Sequence, residues 1–174
     1  MKIIEPKYNH DFFSGVITGE NVKYYQKKYI DLKHIYKDED KNILDDKIMY
    51  EVFTIEHDKD ASLLWGLTIL HPQTVKKEYN MTRGHFHIDR TQPEIYFGLS
   101  GEGLLLMMAE NGECFAEKIF KNSIHYIDGR YAHRLINTSN DILKVGACWN
   151  KLAGHDYESI ERKSGFERVF KEEQ

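Results

Sequence analysis

The sequence predicts an all-β fold of the barrel or sandwich type. Three observations carry that expectation. Short runs rich in β-branched and aromatic residues recur from Ile48 onward. Turn signals punctuate them at a spacing of roughly 8–12 residues. Neither a long helical period nor an internal repeat interrupts them. The expected strands are Met49–Ile55, Ser62–Leu70, Pro93–Leu99, Gly103–Met108, Cys114–Phe120, Ile124–Ile127, Ala132–Asn137 and Ile142–Trp149. The turns between them are His57-Asp58-Lys59-Asp60, Ser100-Gly101-Glu102, Asn111-Gly112, Asp128-Gly129 and Ser139-Asn140-Asp141. Asn111-Gly112 suits a hairpin, since both residue types tolerate positive φ. Pro93 suits a first strand position, where a missing N–H does least harm.

Residues before Ile48 read as an N-terminal extension. Within it the charged stretch Asp38–Lys47 is expected to mix loop with a short, minor helical turn. From Glu158 on, mixed charges suggest a terminal strand or surface tail. The whole of 1–174 is expected to be one domain, with its core barrel at about 48–150.

Composition narrows the function classes. Hydrophobic residues make up 41% and charged residues 30%, as in a soluble globular chain. A formal net charge of −4 argues against general nucleic-acid binding, which needs a basic excess. No apolar run approaches the ~20 residues of a membrane span. Met1 to His10 holds no apolar stretch of the secretory kind. Cys114 and Cys148 sit at no metal-like spacing and are expected to be free, small buried hydrophobes. A reducing cytoplasm is the expected compartment.

The chemistry-bearing pattern is His85-Phe86-His87, then Glu94, then His133 in Tyr131-Ala132-His133-Arg134. Residues i and i+2 of a strand share a face. Both imidazoles can therefore point inward while Phe86 packs on the other side. Three imidazoles and a carboxylate suit one borderline divalent ion such as Fe²⁺, Ni²⁺, Mn²⁺ or Zn²⁺. The remaining histidines, His10, His34, His57, His71 and His125, read as ordinary surface or core residues.

These residues carry a resemblance to the cupins. His85, His87, Glu94 and Gly101 match the first cupin motif, and His133 with Asn137 matches the second. The resemblance implies a double-stranded β-helix, a jelly-roll barrel, with His85, His87, Glu94 and His133 as metal ligands. Two turn positions depart from it. Tyr79 stands where the first motif has its leading glycine. Asp128-Gly129-Arg130 stands where the second has Pro-x-Gly.

A narrower resemblance runs from about residue 5 to about residue 170. Thr82-Arg83-Gly84-His85-Phe86-His87 looks like the Thr-Lys-Gly-His-Phe-His of the cupin-type (archaeal-type) glucose-6-phosphate isomerases. Glu5-Pro6, Gly15-Val16-Ile17-Thr18-Gly19, Tyr50-Glu51-Val52, Thr68-Ile69-Leu70-His71-Pro72, Glu94-Ile95-Tyr96 and Ala153-Gly154-His155-Asp156-Tyr157 follow the same order. Gly-His-Asp-Tyr after the last barrel strand is the most discriminating segment, because general cupins lack it.

The resemblance implies interconversion of glucose 6-phosphate and fructose 6-phosphate, a step of glycolysis and gluconeogenesis, by a cytoplasmic homodimer. A sugar phosphate is then the small-molecule partner, with no nucleic acid and no membrane. Thr68, Thr82, Arg83, Gly84 and Tyr50 would hold the phosphate. The metal, for which the resemblance implies Fe²⁺ first, would polarise the carbonyl. Glu94 or Tyr96 would handle the proton in an enediol route, whereas a hydride shift would need no base. His155 and Tyr157 would serve ring opening or the sugar hydroxyls. Asp156 alternates with them and would face away. Arg83 replaces the family's Lys and adds a planar fork. Trp149 replaces a frequent Tyr and loses a hydroxyl. Two other readings stay open: another cupin enzyme (a dioxygenase or an isomerase of a different sugar), and a non-catalytic cupin that binds sugar.

Overall fold

The computed structural model describes residues 1–56, 62–162 and 165–172, with Arg162 described in its backbone alone. The expected turn at His57–Asp60 lies outside the described residues. In chain order the strands are β1 (Tyr8–His10), β2 (Ile17–Gly19), β3 (Val22–Lys28), β4 (Ile48–Ile55), β5 (Leu63–Leu70), β6 (Thr74–Val75), β7 (Glu78–Tyr79), β8 (Glu94–Ser100), β9 (Gly103–Met108), β10 (Cys114–Ile119), β11 (Ile124–Ile127), β12 (Ala132–Asn137) and β13 (Leu143–Asn150). The helices are α1 (Tyr29–Leu32) and α2 (Glu158–Arg162), both short.

Two antiparallel sheets face each other. One has the order β11-β8-β13-β5-β4-β3, the other β10-β9-β12. Bridges Met81–Ile136 and His85–His133 lay the segment 81–87 along β12, and Phe86–Asp156 adds the chain after β13. From β8 onward the chain changes sheets after β8, β10, β11 and β12, which is jelly-roll topology. The expected cupin barrel is therefore the observed fold.

Every expected strand forms, with ends shifted by one residue at most. Pro93 lies just before β8 rather than in it. Strand β3 was not expected. It pairs with β4 along its length, so the sheet reaches beyond the expected 48–150. The helical turn also lies upstream of 38–47. It forms at Tyr29–Leu32 because Tyr29 and Leu32 bury themselves on the barrel, while Asp31 accepts the Lys28 N–H and caps the turn. Residues 38–47 are loop and turn. The tail, expected as a terminal strand or surface tail, is a strand among the described residues only at one bridge, Phe170 to Glu78. It opens with α2, and Ile160 and Phe166 are buried anchors. Arg168 donates to the buried Glu78 at 2.9 Å.

The main hydrophobic core includes Met49, Leu70, Phe86, Leu105, Ile127 and Leu135. Burying each is worth roughly 1.5–3 kcal/mol. Polar clasps fix the ends. The Asn137 amide donates to Leu70 O and Asp141 O, and the Asn80 amide donates to Met49 O and His71 O. Gly101 takes φ +77, and a Cβ there would lie 2.5 Å from Ile142 O. The motif's Asn and Gly are thus barrel hardware. Asn111-Gly112 does close the β9–β10 hairpin, but only Gly112 takes positive φ. Both cysteines are free thiols and half-buried rather than buried. Among the described residues no helix is long and apolar enough to cross a membrane.

Candidate active site

The four expected ligands meet at one point inside the barrel. His85 and His133 are cross-strand neighbours joined by paired backbone hydrogen bonds of 3.2 and 3.0 Å. Their rings are 4.6 Å apart. His87 follows two residues on, its ring 5.3 Å from that of His133. Phe86 faces the other way and is buried under Arg90. Glu94 opens β8 in the facing sheet. The four side chains each offer a ligand atom, and these lie within 4.8 Å of one another.

The donor set fits a divalent cation. His87 donates its Nδ1–H to Gln92 O at 2.7 Å, which leaves the Nε2 lone pair facing inward. That atom sits 3.2 Å from Glu94 Oε2, and His133 Nε2 sits 3.2 Å from the same oxygen. Lone pairs facing a carboxylate repel unless a cation lies between them. Among the described residues neither buried ring nitrogen of His133 has a hydrogen-bond partner. Burial, reinforced by His133, His155 and His87, holds His85 well below its ordinary pKa, so it is the neutral form that ligates. Burial raises the Glu94 carboxyl; protons on the facing His133 and His87 rings would more than offset this and bring it below its ordinary value, and a cation held between them acts in the same direction. The carbonyl that orients His87 is itself wedged in place: a Cβ on Gly129 would lie 2.2 Å from Gln92 O.

A cavity of about 270 Å³ opens from this point between the sheets. Every residue expected to touch substrate lines it. Tyr50 and Thr68 point in from β4 and β5 of the larger sheet, and Tyr96 and Trp149 from β8 and β13. Thr82, Arg83 and Gly84 come from the segment beside β12, and His155 and Tyr157 from the chain after β13. Burial raises the Tyr50 and Tyr96 hydroxyls well above their ordinary pKa, so both are neutral donors. Thr82 Oγ1 accepts the Leu135 N–H at 3.0 Å, which turns its own proton outward for another acceptor. The rings of His155 and Tyr157 stack at 7°, and His155 packs edge-on against His85 at 4.2 Å. Asp156 faces away, as alternation requires, and pairs with Arg90 at 2.9 Å.

Two of these residues also make contacts within the protein. Gly84 takes φ +73, which needs glycine, and a Cβ there would meet Phe166, Arg134 and His133 O at 2.8–3.0 Å. Arg83 is already engaged. It lies 4.2 Å over the Tyr157 ring and donates to Glu161 Oε1 at 3.2 Å. Sequence reasoning missed Tyr25, Thr54, Gly66, Ala147 and Lys151, which also line the cavity. Tyr25 stands on β3, which has no apolar alternation to announce it. Gly66 and Ala147 carry no chemical signal; their smallness makes the space, and a Cβ at Gly66 would lie 2.9 Å from the Trp149 ring.

Comparison with known proteins agrees with this geometry. The family model described as glucose-6-phosphate isomerase matches residues 26–174. The glucose-6-phosphate isomerase of Thermococcus kodakarensis is 35% identical over 94% of this chain and 87% of its own length. That of Pyrococcus horikoshii is 34% identical over the same shares. A protein of Rhizobium meliloti called putative glucose-6-phosphate isomerase 1 is 32% identical over 81% of this chain and 69% of its own. Among solved structures, an oxalate oxidase matches at 9% identity and a TM-score of 0.47, over 78% of this chain and 54% of that one; the likeness carries no argument. With a family match across most of its length and full-length relatives above 30% identity, the chain belongs to the glucose-6-phosphate isomerase family, in its cupin-type branch.

Proposed function

We propose that the chain, acting as a single domain, is a metal-dependent isomerase that interconverts glucose 6-phosphate and fructose 6-phosphate. The observation that supports this most is one cavity with two chemically different ends. One end converges His85, His87, Glu94 and His133 on a cation site. The other gathers neutral hydroxyls and a guanidinium around space for a phosphate.

Within this reading the phosphate is held by the hydroxyls of Tyr50, Thr68, Thr82 and Tyr157, by Arg83 and by the backbone beside Gly84. A dianion is recognised by several donors and one cation. His155 and Tyr157 meet the ring oxygen and assist opening. Trp149 walls the sugar on the side of Gly66. When bound, a divalent ion supplies a Lewis acid beside C1 and C2. Glu94 takes the proton from C2 of the aldose, the electron pair forms the C1–C2 double bond, and Tyr96 gives a proton to O1. Glu94 then returns its proton to C1 while O2 gives its proton back to Tyr96 and the C2 carbonyl forms. The carboxylates lining the described cavity are Glu56 and Glu94, and Glu56 is paired with Lys23. Iron in the site, a homodimer and a cytoplasmic setting belong to the same reading.

The test is a coupled assay for glucose 6-phosphate formed from fructose 6-phosphate. Activity should vanish after exhaustive chelation and return with added Fe²⁺, Mn²⁺, Ni²⁺ or Zn²⁺. Metal-replete protein with no turnover would overturn the reading.

A further inference from the structure

Behind the backbone of residues 83 and 84 lies a second cavity of about 310 Å³ that the isomerase chemistry does not use. Its walls carry three guanidiniums, those of Arg83, Arg134 and Arg168, and the imidazole of His34 at the rim. Among the described lining residues the one carboxylate is Glu161, already engaged with Arg83. Glu78, beneath Arg168, is engaged with it at 2.9 Å. Three cations thus meet two carboxylates.

Arg134 is the residue that needs explaining. It is 6% exposed and has no carboxylate partner among its described contacts. It donates through Nη2 to Arg83 O at 2.6 Å and through Nη1 to the Met81 sulfur at 2.8 Å, and it lies 4.2 Å over the Phe166 ring. Its buried Nε–H has no hydrogen-bond partner among the described residues. A buried charge without a counter-charge is costly, and here the charge borders a cavity rather than packed core. The described hydrogen bonds of Arg168 all leave from Nη1 and run to Glu78 and Ile35 O. The cavity has room for about ten waters, enough for an oxyanion with a small organic substituent.

We propose that this cavity is a second anion site, separate from the catalytic one, that takes a phosphate group. The two guanidiniums that the catalytic reading leaves unused, Arg134 and Arg168, line one cavity, and planar forks of this kind suit a tetrahedral oxyanion. The phosphate is either free in solution or carried by a small metabolite. The two cavities share Arg83, Gly84 and Tyr157, and the rest of their linings differ.

The experiment is equilibrium dialysis of the metal-loaded protein against labelled inorganic phosphate at low ionic strength. Wild type should bind two phosphates per chain, one in each cavity. His34→Glu places a carboxylate at an exposed rim position, where it should not disturb folding. It should lose one of the two sites, weakening that class at least tenfold, with kcat and KM for the sugar phosphate unchanged. Arg134→Met should lose the same class where it folds. Were the catalytic reading wrong instead, the counts would fall to one and none, and the difference between the proteins would persist. Equal binding by wild type and His34→Glu overturns the proposal. Displacement by glycerol 3-phosphate at lower concentration than by phosphate assigns the site to a phosphorylated metabolite; the reverse order assigns it to the free ion.

Discussion

The two ends of the catalytic cavity are built differently. At the metal end the ligands sit on or beside paired strands, and His87, His133 and Glu94 are nearly sealed from solvent. At the phosphate end Arg83 and Tyr157 come from irregular segments held by a ring stack with His155, a cation–π contact and an exposed ion pair. Rigid placement goes with the atoms that must meet a cation within a few tenths of an ångström. Looser placement goes with a group that only has to be gripped. Mutations at the first end should therefore strike kcat and stability, and those at the second should strike KM.

The largest effect is expected at Glu94. Metal-replete Glu94→Gln should lose about 10²–10⁴ in kcat, the usual worth of general acid–base catalysis, or roughly 3–5 kcal/mol of barrier. Steady-state kinetics with metal content measured in parallel checks this. Retention of more than about a tenth of the rate reduces Glu94 to a ligand. Transfer of hydrogen from C2 to C1 without solvent exchange would favour a hydride shift, which the lowered pKa of Glu94 makes a serious rival.

Arg83→Ala comes next. A hydrogen bond to a charged group is worth about 1.5–3 kcal/mol, so KM should rise about 10- to 100-fold with kcat nearly unchanged. An unaltered KM would remove Arg83 from the phosphate grip. Metal removal separates the two ends by stability. Metal at 100 times its Kd adds about 2.7 kcal/mol, so chelation should lower Tm by about 5–10 °C for a chain of this size. Arg83→Ala should move Tm by about 2 °C or less on the same scale. The smallest effect is expected from Glu161→Gln. Losing an exposed partner worth about 0.2–1 kcal/mol should free Arg83 and lower KM roughly two- to fivefold; a rise in KM would mean that Glu161 holds Arg83 in its working pose.

The same contrast explains what was legible in the sequence. His85, His87, Glu94 and His133 could be read because strand alternation fixes which side chains share a face, and the offsets between them survive folding. The strands from β8 to β13 could be read for the same reason. Tyr25 could not, because Val22–Lys28 is mostly polar and its place at a sheet edge depends on β4. The buried tail was hidden too. Its anchors Ile160 and Phe166 are isolated apolar residues among charges, and only the shape of the barrel gives them somewhere to go. The second cavity was invisible, since Arg83, Arg134 and Arg168 lie far apart along the chain.

The wedge at Gly129 has a consequence for anyone altering this protein. The turn before β12 lies outside the catalytic cavity, yet any side chain there must push on Gln92 O, the atom that fixes the His87 tautomer. A change at Gly129 would then register as weaker or altered ion preference, with the ligands themselves untouched. Surveys that rank positions by distance from the metal would pass over it. One way to retune the centre thus runs through a turn outside the cavity lining.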